Sequence, residues 1–501
     1  MQWRKAVSAT RATLVFPAAY LNSPSSMFGH TLLRLTPADS RKSTPLASYA
    51  LNYAANVDET DNALVYSFKG LVGGYPGFFS ILPYYEKIKQ YSDLESRDIW
   101  EYPLNLNQQE INQLLRHAWE VKAIKFDYYY FTENCSYHVL SLLDVARPGS
   151  HLTDDFSFKA IPSDTVRAVV KIGMAKNAIY RASSTSVIKQ HLALLNAHEK
   201  DVVWQLATKP SSAFDQQINT LRNNKERSRV LELAYDYSRY LALQHTQADT
   251  HAAQNYRLLI ARSQLPAGNV WPAIRRPAHQ PEQGHRTTRL SAGFGRRDGE
   301  NFLSLQLRPA YHDILDPLNG YSAGSQINFL DLRARYDLGN KKLHLDRLTI
   351  IDILSLSPRD AFFKPISWTI NAGIERMLTN RGWATGVQLN GSSGFSYRMG
   401  QQHLIYMLLK GKIMAATAFK NHYTLGAGLS VGSLLFFEHS TADLSLTGIR
   451  FGLGETNTSL VARWRQSFPI GTRYAFRYRV AYHHERGRNF SEVESMVNWY
   501  F

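Results

Sequence analysis

Three hydrophobic patterns follow one another along the chain. The first covers residues 1–185 and mixes short apolar runs with helical spacing. Residues 13–17 read as a strand, 22–26 as a loop by turn chemistry, and 27–35 as a strand begun through Gly29. Strand side chains alternate, so His30, Leu32 and Arg34 share one face. Residues 47–55 read as a second strand, with Ser48, Ala50, Asn52 and Ala54 on one face, and the connection predicts a hairpin or adjacent pair. Residues 95–102 lead into a further strand, and Asn107-Gln108-Gln109-Glu110 opens a helix to about Lys122. His117 on that helix reads as structural or exposed. After Asn134 the apolar positions Val139, Leu142, Leu143 and Ala146 keep a helical period until Pro148-Gly149 ends it.

The second pattern, residues 186–265, is helical throughout. Its apolar faces, such as 230–237 and 256–260, read as packing faces. Residues 266–284 carry Pro266, Pro272, Pro277 and Pro281 among basic and polar residues, the composition of a linker. The third pattern, residues 285–501, repeats segments of about ten residues that alternate apolar and polar between turns. Leu303, Leu305 and Leu307 oppose Ser304, Gln306 and Arg308. Leu330, Leu332, Ala334 and Tyr336 oppose Asp331, Arg333 and Arg335. Tyr474, Phe476, Tyr478, Val480 and Tyr482 oppose Arg473, Arg477 and Arg479, and Val493, Val497, Trp499 and Phe501 stay in phase to the last residue. About twelve such segments, an even number, with aliphatic and aromatic residues where solvent would want charge, predict an antiparallel transmembrane β-barrel with a polar lumen. A soluble barrel or sandwich alternates too; the aromatic end in phase with the outward set favours the membrane.

Composition changes this picture little. A chain of 501 residues exceeds one core, and 44% hydrophobic residues exclude a disordered protein. The net charge of +16 suggests nucleic acid, an anionic membrane or a basic channel; a basic lumen removes most of the case for nucleic acid. A single cysteine excludes an intramolecular disulfide. No run of 18 apolar residues marks a transmembrane helix. Arg11 interrupts the weakly apolar stretch after Arg4-Lys5, so no signal peptide is recognised: either the chain is cytoplasmic or its start lies inside a longer precursor, and the barrel pattern of the last third favours the second.

Candidate chemistry centres on that cysteine. Asn134 as N-cap puts Cys135 on the first turn of a helix, where amide N–H groups and the helix dipole favour a thiolate, the nucleophile of cysteine enzymes. Cys135 is equally in phase with Val139, Leu142 and Ala146, as a small buried hydrophobe would be. A base tips the balance: His30 at a strand start, with Asn52 on the neighbouring strand to orient it, completes a papain-like arrangement. His30 precedes Cys135, so the fold expected is a circularly permuted papain-like one. Glu133 is either a second polar group of the site or an acid suited to the helix dipole. The histidines lack metal-ligand spacing, and Ser25 and Ser26 lack a glycine elbow. The stretch 69–79, rich in glycine and aromatics but without a phosphate-loop ending, reads as a loop, either packed on its own domain or serving as a flap over an apolar substrate.

Long motifs then resemble a known family. Leu14-Val15-Phe16-Pro17, Tyr20-Leu21-Asn22-Ser23-Pro24, Ser26-Met27-Phe28-Gly29-His30-Thr31-Leu32-Leu33-Arg34, Lys69-Gly70-Leu71 with Gly73-Gly74-Tyr75-Pro76-Gly77, Arg97-Asp98-Ile99-Trp100-Glu101-Tyr102 and Glu133-Asn134-Cys135-Ser136-Tyr137 resemble the Lnb-type periplasmic domain over residues 13–185. The region behind it resembles the barrel that follows this domain in many envelope members. The resemblance implies lipoprotein N-acylation in a bacterial envelope, with Cys135 as nucleophile and His30 as base; Asn52 rests on strand geometry alone. It implies a membrane-lipid acyl donor, a diacylated lipoprotein acceptor, no cofactor, and an outer-membrane location with a periplasmic domain. A missing signal peptide and upstream segment depart from the family and suggest a truncated sequence.

The expected organisation is α+β: an NlpC/P60-like thiol domain at 1–185, a helical connector at 186–265, a linker at 266–284 and a barrel at 285–501. Two rival functions remain: a cysteine peptidase or amidase acting on cell-wall peptides, and a non-enzymatic outer-membrane barrel with a binding domain.

Overall fold

The computed structural model describes residues 7–19, 28–37, 47–58, 60–61, 69–70, 73–209, 213–244 and 248–501. The chain falls into two compact units, Met1–Ala278 and His279–Phe501. The loop expected at 22–26 lies outside the described residues.

The first unit is built on a seven-stranded antiparallel sheet. Its strands are β1 (Ala9–Pro17), β2 (Leu32–Pro37), β3 (Tyr49–Ala55), β4 (Tyr75–Pro83), β5 (Ile99–Pro103), β6 (Phe126–Tyr128) and β7 (Ile179–Arg181), in the spatial order β6-β4-β3-β2-β1-β5-β7. β2 and β3 pair antiparallel with Leu33 opposite Leu51 and Arg34 opposite Ala50. Alternation then sends the side chains to two faces. Leu33, Leu35, Leu51 and Tyr53 join the main core, beneath the helices α2 (Gln108–Val121) and α3 (Cys135–Ala146). Leu32 and Ala50 turn to the other face and meet Tyr84, Tyr91 and Ile99. Tyr84 begins a short helix, α1 (Tyr84–Ile88), that continues as π-helical turns through Lys89–Leu94.

The strand of His30 starts later than the alternation suggests. β2 begins at Leu32, because Gly29 takes a φ of +90° and turns the chain just before His30. The stretch 69–79 also departs from a loop. Tyr75–Phe79 lies in β4, with Tyr75, Gly77 and Phe79 buried and Phe78 exposed, while Leu71 and Val72 lie outside the described residues. Its glycines make room for rings: a Cβ at Gly77 would sit 2.4 Å from the Tyr53 hydroxyl.

A polar clamp fixes the second face of the sheet. Glu101, 2% exposed, accepts from Arg34 at 2.5 Å and from the Tyr84 hydroxyl at 2.8 Å. Burying the carboxylate is tolerable because charged and neutral donors both reach it. The helix α4 (Pro162–Lys171) adds Val166 and Val169 to the main core, and α5 (Ser184–Leu192), α6 (Ala197–Thr208), α7 (Phe214–Asn219), α8 (Asn224–Gln244) and α9 (Ala248–Ser263) follow it along the chain.

The second unit is a closed antiparallel barrel. Twelve strands, from Arg289–Arg297 to Arg488–Tyr500, form it, with Ala310–His312 and Pro358–Arg359 as short additions. The last strand pairs with the first, and Glu300–Arg308 pairs with Ser325–Asp337, so no edge stays open. The outward positions are apolar: Leu305 is 54% exposed, Leu409 71% and Val497 55%, whereas Asp331 and Arg333 across the wall are 3% exposed. A row of exposed aliphatics on a closed barrel with charges inside is the pattern of a strand-spanned membrane protein. Arg473 alone leaves its expected place, in the turn ahead of its strand.

One end of the barrel is filled by chain. Asp313 and Asp316 are buried there, and Asp316 accepts from Arg289 at 3.0 Å, Arg308 at 2.5 Å, Arg477 at 3.0 Å and the Tyr500 hydroxyl at 2.8 Å. Between them Ile314 and Leu315 pack on the inward-facing Leu356, Leu404, Leu408 and Leu434.

Candidate active site

The N-terminus of α3 is set by Asn134. Its Oδ1 accepts from the N–H groups of Ser136 at 2.9 Å and Tyr137 at 3.3 Å, while Nδ2 donates to the carbonyls of Tyr130 and Ala160. The cap therefore anchors the helix start to two neighbouring segments, and it leaves the Cys135 N–H as a first-turn donor with no partner within the helix. Cys135 is the first helical residue and is buried at 3% exposure. Glu133 lies ahead of the cap and is exposed, so it is no first-turn acid.

His30 and Asn52 meet at the other side of the thiol. His30 Nε2 lies 2.7 Å from Asn52 Oδ1. Next to His30, the Thr31 hydroxyl donates to Ser136 Oγ at 3.1 Å, which ties the start of β2 to the first turn of α3. Burial by itself would push the Cys135 thiol up. The nearby His30 charge and hydrogen bonds from His30, the Thr31 N–H and Ser136 outweigh it and bring the thiol down to about 7. The three residues selected from the sequence, Cys135, His30 and Asn52, are thus brought together around one cleft.

That cleft has a volume of about 170 Å³. Phe28, Val57, Tyr91, Tyr128, Tyr130 and Pro162 give it apolar walls, and Lys87, Gln90, Glu95 and Arg97 a polar rim. Tyr91, on the π-helical turns, lies tilted beside His30 with ring centroids 5.9 Å apart. Neither Tyr91 nor Arg97 was singled out from the sequence for the site; Tyr91 reaches it on the π-helical turns and Arg97 from the short connection between those turns and β5. Arg97, 2% exposed, donates to the carbonyls of Pro17 and Ala18 at 2.7 Å and so holds the end of β1 beside the cleft.

Other histidines play different parts. His138, one turn along α3, packs tilted against Tyr53 with ring centroids 3.9 Å apart, and burial lowers its pKa to about 4. It stays neutral and serves the core. His117 pairs with Glu120 on the surface of α2. In the barrel, His285, His312 and Asp316 lie close enough to share a metal ion. Their surroundings argue against one: His285 Nε2 and His312 Nδ1 are hydrogen-bonded at 2.9 Å, and Asp316 is already held by three guanidinium groups that repel a cation.

Three family models match the chain, one after another. Residues 1–171 match the model of the Lnb N-terminal periplasmic domain. Residues 178–274 and 278–500 match two domains of unknown function, DUF7842 and DUF7840. Among curated proteins no relative matches. Similar solved structures include the NanC porin, at 6% identity over 43% of this chain and 100% of that one, with a TM-score of 0.27. The KdgM porin in complex with disordered oligogalacturonate is 5% identical over 42% of this chain and 99% of its own, with a TM-score of 0.26. The anion-selective porin from Comamonas acidovorans is 8% identical over 43% and 98%, with a TM-score of 0.23.

Proposed function

We propose that the chain is a thiol acyltransferase of the cell envelope, anchored in the outer membrane by its barrel, with the thiol domain in the periplasm. The observation that carries this reading is the trio of Cys135 on a helix start, His30 just ahead of β2 and Asn52 on β3, with a thiol lowered to about 7. The match of residues 1–171 to the Lnb N-terminal periplasmic domain supports it. We read the domain as papain-like and circularly permuted, with the nucleophile on the helix, the orienter on β3 and the base just ahead of the neighbouring β2.

In this reading the Cys135 thiolate attacks the carbonyl carbon of a membrane-lipid ester. The C–O bond breaks, the leaving alkoxide takes a proton from the His30 imidazolium, and the acyl group stays on sulfur as a thioester. The free amine of a diacylated lipoprotein's N-terminal cysteine then attacks the thioester. His30 accepts the amine proton, the amide forms, and the thiolate returns. The Cys135 N–H is one donor for the oxyanion formed in each step. The apolar cleft walls suit an acyl chain, and a barrel fused behind the domain keeps it at the surface where such chains are found.

The polar rim of Lys87, Gln90, Glu95 and Arg97 supports a second reading, a hydrolase that passes the acyl group of a cell-wall peptide to water. Trapping the adduct on Cys135 and weighing it separates the two. A fatty-acyl mass is expected; a muropeptide mass would replace the transferase with the hydrolase. An unmodified Cys135 with unchanged lipoprotein N-acylation in Cys135→Ala cells would leave only a binding role.

A further inference from the structure

Inside the barrel, a lumen cavity of about 280 Å³ is lined by nine Lys and Arg residues but only four Asp and Glu. The acids are already engaged. Asp346 binds Arg297 at 2.9 Å and Arg333 at 3.4 Å, Glu492 binds Arg297 at 2.7 Å, Glu375 binds Lys412 at 2.6 Å, and Glu485 faces His483 at 3.5 Å. Among the described residues no acid lies within ion-pair distance of Arg347, Lys410 or Arg463, and the buried Nε of Arg347 has no hydrogen-bond partner.

These three cations sit on separate strands, Lys342–Ser355, His403–Ala415 and Asn457–Ile470. All three face the same cavity. Lys410 follows Leu409, which is 71% exposed on the outside, so strand alternation places the lysine inward. Like charges gathered in an enclosed space raise the free energy of the empty barrel, and an anion that binds them offsets that cost. One chloride neutralises one charge. A phosphate group carries more than one, matches the guanidinium fork with paired oxygens, and accepts a lysine as a point charge.

Another part of the cavity wall is aromatic. Phe490 stacks on His483 at 4.6 Å and meets Trp383 edge-on at 5.6 Å. That surface gives the organic part of a phosphate ester a flat apolar neighbour. The wall is hydrogen-bonded all the way round, so a bilayer lipid has no lateral way in. We infer that the lumen is a binding site for a small, soluble, multiply charged phosphate compound, held by Arg347, Lys410 and Arg463. The site is independent of the thiol domain's chemistry.

The test uses the full chain in neutral detergent, titrated calorimetrically with inorganic pyrophosphate. One saturable site is expected, weakened by added salt and weakened about tenfold or more in Lys410→Gln/Arg463→Gln. Arg347→Gln removes a cation that holds no partner, so it tests the site without breaking an ion pair, and it should weaken binding as well. Lys364→Gln, exposed outside the cavity, should bind as the natural chain does. Absence of saturable binding up to about 10 mM, or equal binding in all variants, would overturn the site. Displacement of pyrophosphate by phosphatidylglycerol in mixed micelles would overturn the soluble ligand in favour of a lipid headgroup.

Discussion

His30 Nε2 lies 2.7 Å from Asn52 Oδ1, so the amide occupies one imidazole nitrogen and leaves Nδ1 for the Cys135 thiol. Asn52 comes from β3, whereas His30 sits just ahead of β2, after the turn at Gly29, so the pair depends on that turn as well as on the pairing of the two strands. A base whose ring is fixed from behind delivers its proton along one direction.

Asn52→Ala should therefore slow acyl transfer by about 10- to 100-fold through kcat, with KM little changed. The imidazole would stay but lose its fixed orientation. Single-turnover thioester formation measures this. A variant that altered KM alone would place Asn52 in substrate binding instead.

The ionisation of the thiol gives a pH test that needs no substrate. With the thiol near 7, alkylation of Cys135 by iodoacetamide should rise as pH rises through about 7 and level off above it, because the thiolate is the reacting form. An ordinary cysteine would still be climbing at that point. In His30→Ala the charge and hydrogen bond vanish while burial remains, so the midpoint should move upward past the ordinary thiol range. A midpoint left unmoved would separate His30 from the thiol.

Local chemistry made part of this legible in the sequence. Asn134 before a helical apolar period marked the start of α3, and Asn107 with Glu110 marked the start of α2 through a capping box. The barrel was legible because a period of two, repeated about a dozen times, leaves few other folds. The nature of the 69–79 stretch was not, because β4 owes its strand state to pairing with β3 across a long connection, and its glycines answer to Tyr53, Tyr129 and Tyr130, which sit far away in sequence. Tyr91 was missed because a π-helical turn has no periodic signal, and Arg97 because its partners, the carbonyls of Pro17 and Ala18, are far away in sequence. Asp316 has no local signal either, because its partners Arg477 and Tyr500 lie 161 and 184 residues further along the chain.

Gly29 offers a sharper probe of how His30 is presented. Its φ of +90° is a conformation that side chains rarely adopt, and a Cβ there would meet Phe16 Cε2 at 2.6 Å. Gly29→Ala should shift the turn and carry His30 away from the thiol, at a cost of about 1–3 kcal/mol. Alkylation of Cys135 at pH 7 should fall to the level of His30→Ala while the far-ultraviolet circular dichroism keeps its shape. Full reactivity in this variant would mean that the turn can relax without moving the imidazole.

The filled end of the barrel predicts its transport behaviour. Asp316 gathers Arg289, Arg308, Arg477 and Tyr500, and the segment it anchors buries Ile314 and Leu315 against inward-facing leucines. Such a stopper blocks ion flow as long as the clamp holds. Removing the carboxylate leaves buried guanidinium groups short of a partner, which costs about 3–5 kcal/mol and repels the segment from its seat. Asp313 gives Arg289 and Arg477 a fallback at 3.7 Å and 3.4 Å, so the stronger test removes both acids. In planar bilayers the natural chain should show little conductance, Asp316→Ala brief openings, and Asp313→Ala/Asp316→Ala sustained ones. Steady conductance of the natural chain, equal to that of the double variant, would mean that the segment does not seal the lumen.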